Sequence, residues 1–449
     1  MPPNTNGKYQ IKLTLQGGTK NYYMKIKILI SFFFFLLTSG FLAAQNNTSP
    51  YSIIGIGDIE RSYFDRTSSM GHTGIALSSD ATNRYLYHAN PASYSGLQDK
   101  FFNFEATVRY RGVSYAGTPI GNASASQSSD LQFKKLVVAI KIKPKWGTAI
   151  GLLPFSTSNY SFYGVKNVQG SNINVTTYNE GTGSTNQFFI ANSYKINKHL
   201  SVGLHTAYIF GQLDQKETIL TNISDSLLVT ERNILVGNFF FKGGLQFQTK
   251  INSKWQLLAG ATGSLKTPLK SNYQLKVKDG ATTLIDNQQF KNTYFNIPVM
   301  YAGGLAARLK DKYTFAADYN FQSWTGANTS AFNYQLVNSS KYSVGFEYSS
   351  KINYRDYQGN ILSAEKYFFQ TGLFYTNSYL KVYGKQLTDY GFTIGGGFNS
   401  TKSNLGMQLG LEIGRRGTTD IGLIRETYTQ FHITLAYRDF WRVKLKRYN

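Results

Sequence analysis

The sequence has no cysteine, only nine prolines in 449 residues, and 16% charged residues, against roughly 25% in soluble proteins. The missing cysteine excludes a disulfide framework, a thiolate metal site and attachment through a lipidated cysteine. From Phe101 onward no apolar run approaches the roughly 20 residues that a spanning helix needs. With a mean hydropathy of -0.29, this excludes a multi-helix membrane protein. It leaves open a membrane β-barrel, in which only alternate residues face lipid. Signatures of catalysis are also missing. There is no G-x-S-x-G serine motif and no Gly-rich phosphate loop. None of the five histidines, His72, His88, His199, His205 and His432, pairs with another at metal-ligand spacing on one strand face. His199 and His205 share a face but have no acidic partner there. The sequence therefore predicts no catalytic residue, no metal, no cofactor and no enzyme.

What is abundant is aromatic and small: 33 Tyr, 32 Phe and 42 Gly. Net charge is +23, and about +18 remains once the five lysines of the first 44 residues are set aside. The basic residues are dispersed over strands and turns. An export signal argues against nucleic acid, so the expected neighbours are anionic lipid headgroups and lipopolysaccharide phosphates, with a solvated rim of Lys at strand ends as the equal alternative. That signal is Met24-Lys25-Ile26-Lys27, the apolar stretch from Ile28 to Ala44 and a cleavage point after Ala44. Residues 1–44 are expected to be a signal peptide, with 1–23 an over-called start.

From Phe101 onward the pattern has a period of two. Leu405, Met407, Leu409, Leu411 and Ile413 share one face, and Gly406, Gln408, Gly410 and Glu412 share the other. Phe431, Ile433, Leu435 and Tyr437 repeat this, as do Tyr342, Val344, Phe346 and Tyr348. An apolar outer face with small and polar residues behind it predicts a wall between lipid and a wet or lumenal interior. In lipid such a sheet must close on itself. The segments count to about fourteen strands, an even number, joined alternately by short turns and long connections. The long link 351–365 breaks that alternation. Among predicted lumenal charges, Glu347, Glu412 and Arg438 are expected to pair across the barrel. The fold class is all-β: a transmembrane antiparallel β-barrel of about 14 strands spanning residues 99–449.

Residues 45–98 do not fit the wall. Met70-Gly71-His72-Thr73-Gly74-Ile75-Ala76, Asp80-Ala81 and Asn90-Pro91-Ala92 are too rich in small residues for a strand or a long helix. A compact segment ahead of a barrel has the lumen available, so it is expected to be a hatch plugging the barrel. Gly71 and Gly74 permit turns with positive φ. Pro91 fixes a torsion, and Asn90 can bond to its own local backbone. Both a fixed and a movable hatch are compatible with these residues.

Those residues, followed by a first strand at Phe101, resemble the N-terminal hatch of FadL-type outer-membrane transporters. The likeness extends to Gly151-Leu152-Leu153-Pro154-Phe155 in the third strand. The resemblance implies a fourteen-stranded barrel of the bacterial outer membrane that imports long-chain fatty acids or similar apolar compounds by passive uptake. Gly71, Gly74, Asn90, Pro91 and Ala92 would then belong to the gating hatch. Gly151, Pro154 and Phe155 would mark an inward kink through which ligand leaves sideways into lipid. The stretch Ser49 to Asp58 departs from the well-known importers, so this is a divergent branch. The partner implied is a hydrophobic small molecule. The alternative is a structural or accessory barrel subunit of an outer-membrane secretion or assembly complex, with an outer-membrane protein as partner. The connections 213–233 and 267–293 separate the two, since a transporter wants an apolar mouth there and a subunit wants a docking surface.

Overall fold

A computed structural model describes residues 49–440, apart from 81, 118–126, 168–169, 171, 221–226, 325–333, 356–360 and 401–402. The segment expected to be a signal peptide and the basic tail from Trp441 lie outside the described residues. A two-residue strand, β1 (Asp58–Ile59), lies in the N-terminal segment. The wall then runs through β2 (Phe101–Gly117), β3 (Gln127–Lys143), β4 (Trp146–Thr157), β5 (Tyr160–Asn167), β6 (Asn174–Lys195), β7 (Leu200–Leu220) and β8 (Leu228–Lys250). It continues with β9 (Trp255–Ser264), β10 (Thr267–Asp279), β11 (Thr282–Ile297), β12 (Val299–Leu309) and β13 (Tyr313–Ser323). The last part is β14 (Tyr334–Leu336), β15 (Ser339–Arg355), β16 (Ile361–Val382), β17 (Lys385–Asn399), β18 (Leu405–Gly417) and β19 (Ile424–Phe440).

Four wall strands are built from two pieces each: β4 with β5, β9 with β10, β11 with β12, and β14 with β15. The wall is therefore a closed cylinder of fourteen antiparallel strands, as the alternation predicts. Closure comes from β19 against β2, in register from Ile424 opposite Gly117 to Phe440 opposite Phe101. The breaks have local causes. Pro298 separates β11 from β12 because it has no N–H to give to a ladder.

Outward residues are apolar and exposed: Leu409, Ile413, Phe431, Ile433 and Leu435 all lie on the predicted lipid face. The inner face is lumenal, as expected, and is covered by the hatch: Thr393, Gln408 and Thr434 are fully buried. Residues 49–97 fill the cylinder, and Ile56, Leu86, Tyr94 and Leu97 pack against Val137, Ala149 and Phe189 of the wall.

Several predicted connections are strand instead. The 351–365 link is mostly extra ladder, with Lys351 opposite Glu365 and Arg355 opposite Ile361. Of the 213–233 connection, residues 213–220 belong to β7 and residues 228–233 to β8. The 267–293 connection is the β10–β11 hairpin, paired back onto β8 from Lys270 opposite Gly237 to Asp279 opposite Leu228. Polar residues at both alternating positions hid these stretches from an apolar–polar count. Outside the bilayer a sheet needs no apolar face.

Candidate functional site

The hatch path is set by local hydrogen bonds. Asp65 accepts from the Thr67 N–H at 2.9 Å and opens a short 3-10 turn, Arg66–Ser69. Asn90 accepts from the Ala92 N–H at 3.0 Å and, with Pro91 in the first turn, opens another, Pro91–Gly96. Asn90 also ties the hatch to the wall, donating from Nδ2 to the carbonyls of Ile75 and of Leu245 on β8, both at 2.9 Å.

Gly71 has φ +65°, as expected, and a Cβ there would stand 2.6 Å from the Leu373 carbonyl oxygen. Gly74 departs from expectation, because its φ is not positive. It is confined by space instead: its Cβ would lie 3.0 Å from Thr67 Oγ1. The N–H groups of Gly74 and Ile75 both donate to Asp318 Oδ2, at 2.7 and 3.0 Å. The wall answers with glycines of its own. A Cβ on Gly244 would stand 2.1 Å from Asn90 Oδ1, and one on Gly203 would stand 2.3 Å from the Ala92 nitrogen. On Gly260 it would meet the Ile75 carbonyl oxygen at 2.0 Å, and on Gly372 the Gly71 nitrogen at 2.2 Å. The small inner-face residues make room for hatch backbone, strand after strand.

Charge locks the same interface. Arg66, buried in the hatch, places Nε 3.0 Å from Glu347, and its two terminal nitrogens lie 2.7 and 2.5 Å from the Glu365 carboxylate. Its guanidinium also lies over the Phe368 ring, 4.0 Å from the centroid. Asp58 takes both ends of Arg416 at 2.6 and 3.0 Å. Glu60 pairs with Lys134 at 2.8 Å, Asp80 with Arg308 at 3.6 Å, and Arg61 with Asp389. His72 meets Glu412 at 2.9 Å. Burial raises the Glu60 carboxyl, but the Lys134 and Arg109 cations outweigh it and hold the group at about 2. Glu347 and Glu412 thus pair with the hatch rather than across the barrel, and Arg438 donates to the hatch carbonyl of Asn83 at 2.6 Å. None of Asp58, Glu60, Arg61 or Arg66 was singled out from sequence. The available signal was a run of charge in a segment assigned to the lumen.

Gly151, Pro154 and Phe155 sit where the wall changes. The β3–β4 ladder has its last rung at Leu136 opposite Leu152, one residue past Gly151. Pro154 follows, and a bulge in the β4–β6 pairing falls between Pro154 and Ser156, at Phe155. Above that level β1 of the hatch takes the place of β3, with Asp58 opposite Thr157 and Ile59 opposite Ser156. The Glu60 N–H donates to the Phe155 carbonyl at 2.9 Å. The wall break is thus filled by hatch backbone and rimmed by charge, with a small cavity of about 60 Å³ between Glu60, Lys134, Arg109 and Arg416.

A larger cavity of about 180 Å³ lies between the hatch and β4, β8, β12 and β15, adjoining this break. Its apolar lining includes Phe155, Phe240, Met300 and Tyr379, and Lys242 and Lys341 line its polar side. Lys242 Nζ donates to Tyr63 Oη at 2.9 Å and to the Ala89 carbonyl at 3.1 Å. A void of roughly 150 Å³ is enough for one benzene ring. The cavity is of that size, but only partly apolar.

Among solved structures, the chain is similar in fold to the following three. The CymD monoaromatic hydrocarbon channel is 13% identical with a TM-score of 0.53, covering 88% of this chain and 100% of that one. A Pseudomonas aeruginosa FadL homologue is 12% identical with a TM-score of 0.54, covering 89% and 100%. The Ralstonia pickettii toluene transporter TbuX is 14% identical with a TM-score of 0.53, covering 83% and 97%. The fold is therefore that of the FadL-type barrels, and the protein is an outer-membrane β-barrel. No curated protein matches the chain in sequence. Over residues 24–449 the sequence matches a family in its own right, and the chain belongs to the BamG family.

Proposed function

We propose that this barrel acts as an accessory subunit of an outer-membrane assembly or secretion complex, with its lumen sealed by a fixed hatch. The filled lumen carries this reading. Hatch backbone is seated on wall glycines, and the charges of Asp58, Glu60, Arg61, Arg66 and Asp80 are each matched by a wall partner. Opening such a plug means parting several buried ion pairs at once, each costing about 3–5 kcal/mol when one partner is left behind. The segments that would form a transporter's apolar mouth are a standing sheet instead. At 22, 21 and 23 residues, β6, β7 and β8 far exceed the roughly 9–11 needed to cross a bilayer. They rise with β10 and β11 into a one-sided collar laced by Lys166–Glu217, Lys216–Glu180 and Lys278–Glu231. That collar is a surface on which a partner protein can dock. Affinity purification from membranes in mild detergent tests this. A stoichiometric outer-membrane protein should co-purify and be lost when the collar hairpin 267–297 is shortened. A solitary barrel in which shortening that hairpin changes nothing would sink the reading.

A second reading rests on the wall break at Pro154 and the cavity beside it. The solved neighbours are described as hydrocarbon channels and a toluene transporter, which for this chain suggests uptake of small hydrophobic compounds. A single-ring molecule would rest in the 180 Å³ cavity and leave between β3 and β4. Exit into lipid is favourable for apolar matter by roughly 0.8 kcal/mol per CH₂. Long-chain fatty acids fit this cavity poorly. Mass spectrometry of extracted ligands, with uptake measured for Pro154→Ala, separates the readings. A recovered aromatic and altered uptake would favour passage.

A further inference from the structure

The outer face carries a site that neither the hatch nor the lumen uses. Near the end bearing the long connections, outward side chains fall into cross-strand rows. Tyr319, Tyr342, Tyr375 and Tyr390 stand opposite one another on β13, β15, β16 and β17. This is the interfacial aromatic girdle of a membrane barrel. On the next two strands the same row continues as Arg415 and Thr427, so the girdle stops and a cation takes its place. The row one step deeper is Val344, Leu373, Phe392 and Ile413, between 41% and 54% exposed. The two rows line an open apolar trough of about 610 Å³, with Arg415 at its edge. Arg425 stands one diagonal step beyond, opposite Gly417. Among the described residues neither arginine has a carboxylate within ion-pairing distance.

An unpaired guanidinium at the interface, with an apolar channel running from it toward the midplane, suits an amphiphile with an anionic head and an acyl tail. Arginine matches phosphate with paired N–H donors, and the interface is where its charge is tolerated. The long connections place this end at the outer leaflet. A second barrel would bring an apolar convex wall and no anion at this depth. We propose that Arg415 and Arg425 bind a phosphate of outer-leaflet lipid A, with one of its acyl chains lying in the trough over Ile413 and Leu373. The site stands whichever reading of the lumen holds.

Native mass spectrometry of the delipidated full mature chain tests the site with three probes: lipid A, dephosphorylated lipid A and phosphatidylglycerol. Lipid A should bind at one copy per chain, with each lost arginine weakening it about tenfold, the effect of one charge-assisted contact. Arg415→Lys should retain part of the binding, because the charge stays but the paired donors are lost, and Ile413→Trp should weaken it by filling the trough while leaving both arginines. Heat-modifiable gel migration confirms that each variant is folded. Equal binding of dephosphorylated lipid A, or preference for phosphatidylglycerol, overturns the proposal. So does wild-type affinity in Arg415→Ala/Arg425→Ala, or a cross-linked protein seated on Tyr390 in place of lipid.

Discussion

Arg66 ties the hatch to two wall strands at once. It satisfies two carboxylates on different strands and covers an aromatic face, at 1% exposure. Arg66→Met leaves Glu347 and Glu365 buried without their cation, at a cost of about 3–5 kcal/mol. The expected outcome is a lower thermal midpoint in detergent and early protease cleavage within residues 49–97. Arg66→Lys should recover only part of the loss, because an ammonium cannot fork to both carboxylates. Acid should act through other hatch groups. Burial raises Asp80, but Arg308 and Lys351 outweigh it and hold it at about 2, as Glu60 is held by Lys134. Carboxyls depressed in the folded state stabilise fully above their ordinary values of 3.8 and 4.5, and lose that contribution as pH falls toward 2. Hatch proteolysis, assayed with an acid-active protease, should therefore be flat from pH 8 to 5 and rise below about pH 4. A rise already at pH 6 would point to other groups.

At the scale of elements, the smallest strand matters most. β1 is two residues long, yet it completes the edge that β3 abandons. It approaches because Gly57 adopts φ +87°, where a Cβ would stand 2.3 Å from the Thr157 carbonyl oxygen. Gly57→Ala should detach β1 and expose Lys134. Amine labelling of Lys134, read by peptide mass spectrometry, should rise several-fold with little loss of barrel β-structure. Unchanged labelling would mean the break is held by other contacts. Gly244→Val should push Asn90 off the wall and loosen the Pro91–Gly96 turn, again without unfolding the strands. The wall strands themselves were legible in advance, because lipid enforces a period of two on their outer faces. Leu405 to Ile413 and Phe431 to Tyr437 lie as that period requires. The collar was not legible. Above the bilayer Thr218, Lys276 and Lys278 meet no lipid, so nothing imposes alternation and the strands read as loops.

For the whole molecule, sealing is the property to test. Reconstituted in a planar bilayer, the wild-type chain should show no steady ion conductance. Deleting residues 46–97 should give an open, conducting cylinder, since fourteen strands enclose far more than the interior side chains alone can fill. A double change at Arg66 and Arg416 should give intermittent openings if the ion pairs set the lock. A silent deletion variant that still migrates as a folded barrel would show that the wall collapses on itself.

By itself the sequence determined the cylinder and the presence of something inside it. Alternation, aromatic content and an even strand count are each imposed by one boundary, the lipid, and a boundary that acts on every residue can be read residue by residue. Only the tertiary structure decided what the interior does. Glu347 meeting Arg66, Gly244 yielding to Asn90, and Asp58 pairing with Arg416 link positions far apart in the sequence, and no local pattern records which charge faces which. The hatch residues Gly71 and Asn90 were visible because turns have local chemistry. Their seat on the wall was not, because it depends on the register of strands that close only when β19 finds β2.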